Sequence, residues 1–230
     1  MLKTSDIVKI TWFLVAALIW FSATAGSKPD PSSLSAIKGA LRKYQNAEAV
    51  SFEVKKTVRL ALLDETKNYQ GTLLLSRGQL RLEINHPEKS ILIASDKLIW
   101  QITPAPKELG GKTQVLKISS SNFKKQAKAP LGLLLGRPSA WDQFSVSQSS
   151  QSERFAEYTL KPKSSDAAGE ILKLKVEFRK PEFELTRISY VDSLDNETTF
   201  EFDNAKYNTE LNGANFKYVP AADSDITEYK

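Results

Sequence analysis

The sequence predicts a mainly β, α+β protein built on one large, twisted antiparallel sheet, and three features carry that prediction. Apolar and polar residues alternate through much of the chain from Val50 to Phe202, which is the period of strands with one buried face. Gly, Pro, Asn and Asp interrupt these runs at short intervals, as hairpin turns require. Two short stretches after the N-terminal segment, one near Leu34 and one near Leu131, instead suit amphipathic or apolar helix. A sheet of many strands curls into an open or closed barrel, with helices over one face or in its mouth.

Residues 1–25 read as a cleavable signal peptide. Lys3 and Lys9 flank a polar lead-in, and Ile10 to Phe21 form an apolar run of about 12 residues, short of the roughly 20 that span a bilayer. Ser22-Ala23-Thr24-Ala25-Gly26 then offers small residues at both recognition positions, so cleavage is expected after Ala25. An uncleaved N-terminal anchor is the alternative. Residues 26–230 are expected to form a single domain.

Ser33 can cap a helix whose apolar positions Leu34, Ile37, Leu41 and Tyr44 share one face, with Lys38, Arg42 and Lys43 turned away. From Val50 the period becomes two: Val50, Phe52, Val54, Val58, Leu60 and Leu62 alternate with polar residues, interrupted only by Lys56. A turn at Asp64 to Asn68 leads to a strand over Tyr69–Ser76. Arg77-Gly78 breaks it, and Leu80, Leu82 and Ile84 alternate with Arg81 and Glu83. Ser90–Ser95 and Lys97–Thr103 form a further hairpin, and the loop of residues 104–111 precedes a short strand over Gln114–Ile118. The segment Ala129 to Pro138, with Leu131, Leu133, Leu134 and Leu135, suits one or two helical turns. Strands resume over Gln143–Ser147, Phe155–Lys161, the alternation Leu172, Leu174, Val176 and Phe178, then Phe183–Val191 and Thr198–Phe202. Helices lying on such a sheet can hold something apolar between them and it.

Composition excludes several functions. The formal charge of +5 falls to +4 once Lys3, Lys9 and Asp6 leave with the signal, and no basic stripe interleaves with aromatics, so nucleic acid is not an expected partner. There is no cysteine, hence no disulfide and no lipid attachment at an N-terminal cysteine. There is no cysteine to serve as a thiol nucleophile, a serine triad would have to use His86, the one histidine, and the several His or Cys ligands that a zinc site draws on are not available. His86 precedes Pro87 and reads as a solvated turn residue. Glu83, Asp192, Asp195 and Glu197 are the carboxylates nearest to a candidate acid–base pair, but all fall on polar faces or in turns. No catalytic residue, metal or cofactor is expected.

The stretch Tyr69 to Thr103 resembles the periplasmic outer-membrane lipoprotein carrier family, LolA. The features that match are Gly71, Arg77, Pro87 to Leu92, and Asp96-Lys97-Leu98-Ile99-Trp100. The likeness continues through Pro130 to Arg137 and Trp141, and ends in Asn215-Phe216-Lys217-Tyr218-Val219-Pro220. The resemblance implies an unclosed β-barrel whose concave apolar face is covered by helices acting as a lid. It implies a chaperone that takes triacylated lipoproteins from an inner-membrane ABC transporter, crosses the periplasm as a soluble monomer, and delivers them to an outer-membrane receptor. Arg77 matches the family arginine that bonds the barrel to the lid, and Leu131, Leu133, Leu134 and Leu135 match a lid helix. Phe52, Leu74 and Trp100 are expected to line the cavity, with Leu34, Ile37 and Leu41 facing it from the first helix. Arg81 stands where the family often carries an aromatic, and Gly132 interrupts the lid cluster. A lipoprotein- or lipid-sensing regulator of the same fold is the alternative, for which an additional C-terminal domain is expected. An outer-membrane receptor of this fold requires the lipidated cysteine that is absent.

Overall fold

A computed structural model describes residues 32–95, 98–105, 111–119, 133, 138–164, 171–210 and 215–229. Helix α1 (Ser32–Asn46) precedes β1 (Val50–Leu60), and a 3-10 turn over Ala61–Leu63 connects it to β2 (Glu65–Ser76). There follow β3 (Gln79–His86), β4 (Ser90–Ala94), β5 (Leu98–Thr103), β6 (Gln114–Ser119) and the single turn α2 (Pro138–Trp141). The chain then runs through β7 (Phe144–Gln151), β8 (Phe155–Pro162), β9 (Ile171–Arg179), β10 (Glu184–Asp192), β11 (Glu197–Tyr207) and β12 (Asp225–Tyr229).

All the described strands belong to one sheet in the order β12-β6-β5-β4-β3-β2-β1-β11-β10-β9-β8-β7. Its two edge strands do not pair with each other, so the sheet is unclosed. Consecutive strands pair antiparallel within β1–β6 and within β7–β11, and β1 pairs with β11 in long antiparallel register, from Val50 opposite Tyr207 to Arg59 opposite Glu197. That pairing joins the meander β1–β6 to the meander β7–β11.

Two expectations need correction. The sheet is mixed, because β12 runs parallel to β6 with Asp225 opposite Gln114 and Tyr229 opposite Ile118. Of the helices expected over the sheet, α1 is described, whereas the segment Leu131 to Leu135 lies, apart from Leu133, outside the described residues. The segment Asp64 to Asn68 is not a turn: Asp64 adopts left-handed φ of 48° after the 3-10 turn, and β2 begins at Glu65 opposite Leu60. The two-residue Arg77-Gly78 turn has φ of 42° and 79°, the pair of positive values that a tight primed hairpin requires.

The core lies between α1 and the inner face of the sheet. Ile37, Leu41 and Tyr44 of α1 are buried against one continuous cluster that includes Phe52, Leu73, Leu80, Leu160, Val176, Ile188 and Phe202. A smaller cluster of Ile93, Ile102 and Val115 sits on the outer face, covered by Phe216 and Tyr218 of the C-terminal segment. That segment is fastened by Arg81, whose guanidinium donates to the Asn215 carbonyl at 3.2 Å and to Glu83 Oε2 at 3.0 Å.

Candidate functional site

Strand register determines which side chains share the inner face. Val50, Phe52 and Val54 of β1 stand opposite Leu75, Leu73 and Gly71 of β2, and Leu73 and Leu75 stand opposite Leu82 and Leu80 of β3. On the other side of β1, Val54 faces Phe202 and Lys56 faces Phe200 of β11, with Ile188 and Val176 continuing that second row across β10 and β9. The rows make a broad apolar surface of Val, Leu, Ile and Phe. Burying such side chains contributes about 1.5–3 kcal/mol each, which is what holds the face together.

Gly71 is placed where two strands crowd. A Cβ there would lie 2.0 Å from the Glu83 carbonyl oxygen, at the bulge between Gln70 and Gly71. Only glycine allows β3 to approach this closely.

Helix α1 is seated by aromatic and polar contacts near its C-terminus. The Tyr44 ring lies 5.5 Å from that of Phe52 and stacks on Tyr207 at 6.2 Å. Its hydroxyl accepts the Leu185 N–H at 2.8 Å, and burial pushes the phenol well above its ordinary range. At the exposed rim, Lys43 Nζ donates to the Glu182 carbonyl at 2.9 Å, and Lys38 pairs with Asp142. Exposed pairs of this kind contribute at most about 1 kcal/mol, so apolar burial and the Tyr44 hydroxyl dominate the seating.

Lys56 is the exception on this face. It continues the parity of Phe52 and Val54 and so projects inward. Its Nζ lies 5.3 Å from the centroid of the Tyr69 ring and 5.8 Å from that of Phe200. No carboxylate among the described residues pairs with it, and burial alone holds its pKa below the usual lysine range. The sequence signal was the break in alternation at this position, which carried no functional reading.

The sequence-predicted residues divide between two faces. Phe52, Ile37 and Leu41 are buried in the inner cluster, and Leu34 packs against its margin. Leu133 is helical and buried in the same cluster, whereas Leu131, Leu134 and Leu135 lie outside the described residues. Leu74 stands opposite Arg81, on the outer face with Arg81 and Glu83, rather than among the inner rows. Trp100 also faces outward: it packs against the Ile93, Ile102 and Val115 cluster and meets the Tyr218 ring edge-to-face at 5.5 Å. Arg77 occupies the β2–β3 turn, with Nη2 3.8 Å from Glu48 in the connection leaving α1. Ser76 beside it donates to the Glu48 carbonyl at 2.6 Å. The signal segment and most of the loop of residues 104–111 lie outside the described residues.

The candidate carboxylates are engaged structurally. Glu83 holds Arg81, and Asp192 accepts from the backbone of Leu194 and Asn196, at 2.8 and 3.0 Å, and so shapes the β10–β11 turn. Asp195 lies in that turn with φ of 60°. Glu197 borders a shallow outer-face hollow with Lys175, Glu177, Arg187 and Glu201. In this hollow Arg187 reaches Glu201 at 3.0 Å and Glu177 at 3.7 Å, and Lys175 reaches Glu157 at 3.7 Å, so both of its cations are ion-paired. Among the described residues no three His, Cys, Asp or Glu side chains cluster as a metal would require. No described helix is long and apolar enough to cross a membrane.

Comparison with known proteins places this geometry. Residues 45–219 match the family described as outer membrane lipoprotein carrier protein LolA. The outer-membrane lipoprotein carrier protein of Shewanella sp. strain W3-18-1 is 25% identical over 188 residues, covering 80% of this chain and 82% of that protein. Its counterpart from Shewanella putrefaciens aligns with the same identity and coverage. Among solved structures, an uncharacterized conserved protein from Thermus thermophilus shares the fold with a TM-score of 0.51 at 12% identity. The alignment covers 86% of this chain and 99% of that one.

Proposed function

The chain belongs to the outer membrane lipoprotein carrier family LolA, and from that premise we propose that it is a periplasmic chaperone holding the acyl chains of triacylated lipoproteins between α1 and the inner face of its sheet. In this reading it receives them from an inner-membrane ABC transporter and hands them to an outer-membrane receptor. It performs no catalysis. The observation that carries the reading is the extent of the family match, which takes in every strand from β1 to β11 and therefore the whole apolar inner face.

The physical requirement supports it. Each methylene shielded from water contributes about 0.8 kcal/mol, so acyl chains crossing an aqueous compartment need a continuous apolar cover. Release requires that the cover be displaced. Helix α1 is the described element suited to that task, because its rim contacts, Lys38 with Asp142 and Lys43 with Glu182, are exposed. The segment containing Leu131 to Leu135 is proposed to complete the lid. Arg77, paired with Glu48 just beyond α1, is proposed to link the β2–β3 turn to lid movement. Export by cleavage after Ala25 would deliver the protein to the compartment where this task lies.

The test is to isolate the protein from the periplasm and identify co-purifying acylated polypeptides by mass spectrometry. Triacylated lipoproteins should be enriched, more so when handover to the outer membrane is blocked. A preparation free of acylated partners under that block refutes the carrier reading, and normal handover by Arg77→Leu refutes the role given to Arg77.

A further inference from the structure

Resting on the carrier reading for the apolar part of the ligand, we infer that Lys56 is an anchor for the anionic head, carboxylate or phosphate, of an acyl lipid whose chain lies along the inner face. The lipid-bearing end of a lipoprotein offers ester and amide carbonyls but no negative charge. A cation set among apolar rows is therefore not explained by that cargo alone.

The placement is fixed by two strand pairings. Lys56 lies directly opposite Tyr69 on β2 and Phe200 on β11, and its ammonium stands near both ring centres, at 5.3 and 5.8 Å. Rings satisfy part of a cation's demand through their faces but accept none of its three N–H bonds well. Its inner-face neighbours along and across the strands are Val54, Val58, Gly71, Thr198 and Phe202, none of them ionisable. The nearby ions of that parity are Lys67 and Glu65 of β2, each about half exposed, which pair with each other at 3.6 Å. The other carboxylates of these strands, Glu53, Glu197, Glu201 and Asp203, have the opposite parity. Glu53 accepts from Asn204, and Glu201 is held by Arg187.

A half-buried ammonium with no carboxylate partner among the described residues has lost part of its hydration, and an anion bound there would form a charge-assisted hydrogen bond with less competition from water. The Tyr69 and Phe200 rings would flank the first carbons of the chain. The apolar rows of Val176, Ile188 and Phe202 would continue the contact.

The experiment is equilibrium dialysis of the full exported chain with three sixteen-carbon probes below their micelle concentrations: palmitate, palmitoyl lysophosphatidate and methyl palmitate. The wild-type protein should bind one or both anionic probes roughly ten- to a hundredfold more tightly than the neutral ester. Lys56→Met, which keeps the length and apolar character of the stem, should abolish that preference while retaining methyl palmitate. Preference for palmitate alone assigns a carboxylate ligand, and preference for the lysophosphatidate alone assigns a phosphate. Equal binding of all three by the wild type overturns the inference without any variant, and so does a preference that survives in Lys56→Met. Co-purifying lipoproteins without an anionic preference would remove the headgroup assignment and leave the carrier reading standing. Failure of the wild type to bind any probe or any lipoprotein removes both.

Discussion

Replacing Gly71 with alanine should destabilise the protein by about 2–4 kcal/mol, and the same replacement at Gly39 should stabilise it by about 0.5–1 kcal/mol. The new methyl group at position 71 would stand 2.0 Å from the Glu83 carbonyl oxygen and 2.9 Å from both Glu83 C and Ile84 Cα. All three are backbone atoms, so no rotamer change relieves the contact. Reaching even 3.0 Å from the oxygen demands an ångström of strand separation, enough to weaken about two ladder hydrogen bonds worth roughly 1 kcal/mol each. Loosened packing of the facing Val54 and Ile84 adds to the loss. Gly39 lies exposed in α1 with nothing within 4 Å of its virtual Cβ, so alanine there changes only helix propensity. Urea unfolding followed by circular dichroism, with equal slopes as the control for a two-state comparison, measures both. A Gly71→Ala variant within about 0.5 kcal/mol of wild type would refute the close-approach reasoning.

Three further outcomes are expected. Tyr44→Phe should cost about 1–3 kcal/mol in urea unfolding, because the buried Leu185 N–H loses its acceptor while the ring contacts remain. Phe52→Ala should weaken binding of a fluorescent acyl probe, and Trp100→Ala should leave it unchanged, since Trp100 packs under Tyr218 on the opposite face. Lys56 has a folded pKa below its unfolded one, so the unfolded chain holds its proton over a pH interval where the folded chain has released it. The cost of burying its charge is complete below the folded pKa and fades as pH rises toward the ordinary lysine value of about 10.4. Lys56→Met should therefore be more stable than wild type near neutrality, and the gap should narrow with rising pH in a titration of urea midpoints.

The period-two pattern located the strands well because most have one wet and one dry face. It failed where that contrast is missing. Leu73-Leu74-Leu75 has no alternation, so the residue that faces inward is decided by register with Phe52 and Leu82, which local sequence does not contain. β4 and β5 are covered on both sides, by the inner cluster and by the C-terminal segment, and Trp100 takes its outward side because Phe216 and Tyr218 return to meet it. A register irregularity between Val191 and Asp192 reverses the expected parity at the start of β9, burying Ile171 and exposing Leu172. β12 is exposed along its whole length and had no buried face to read. Of the candidate site, Phe52 and the α1 positions Leu34, Ile37 and Leu41 were legible from spacing. Lys56 appeared only as a defect in a pattern, because a charge on an apolar face acquires meaning once its cross-strand partners are known.

The absence of a bond between β7 and β12 has a mechanical consequence. In a closed barrel, strand number, tilt and stagger are tied together, and no strand pair can change its angle without straining the rest. Here the twelve described strands have eleven junctions in series and two margins that do not pair with each other. A slight change of twist at each junction adds to the next, in the manner of a fan, so the separation of the margins is the softest dimension of the molecule. Accommodation of a thicker or thinner occupant can thus be spread over many intact ladders, with no single hydrogen bond broken to admit it.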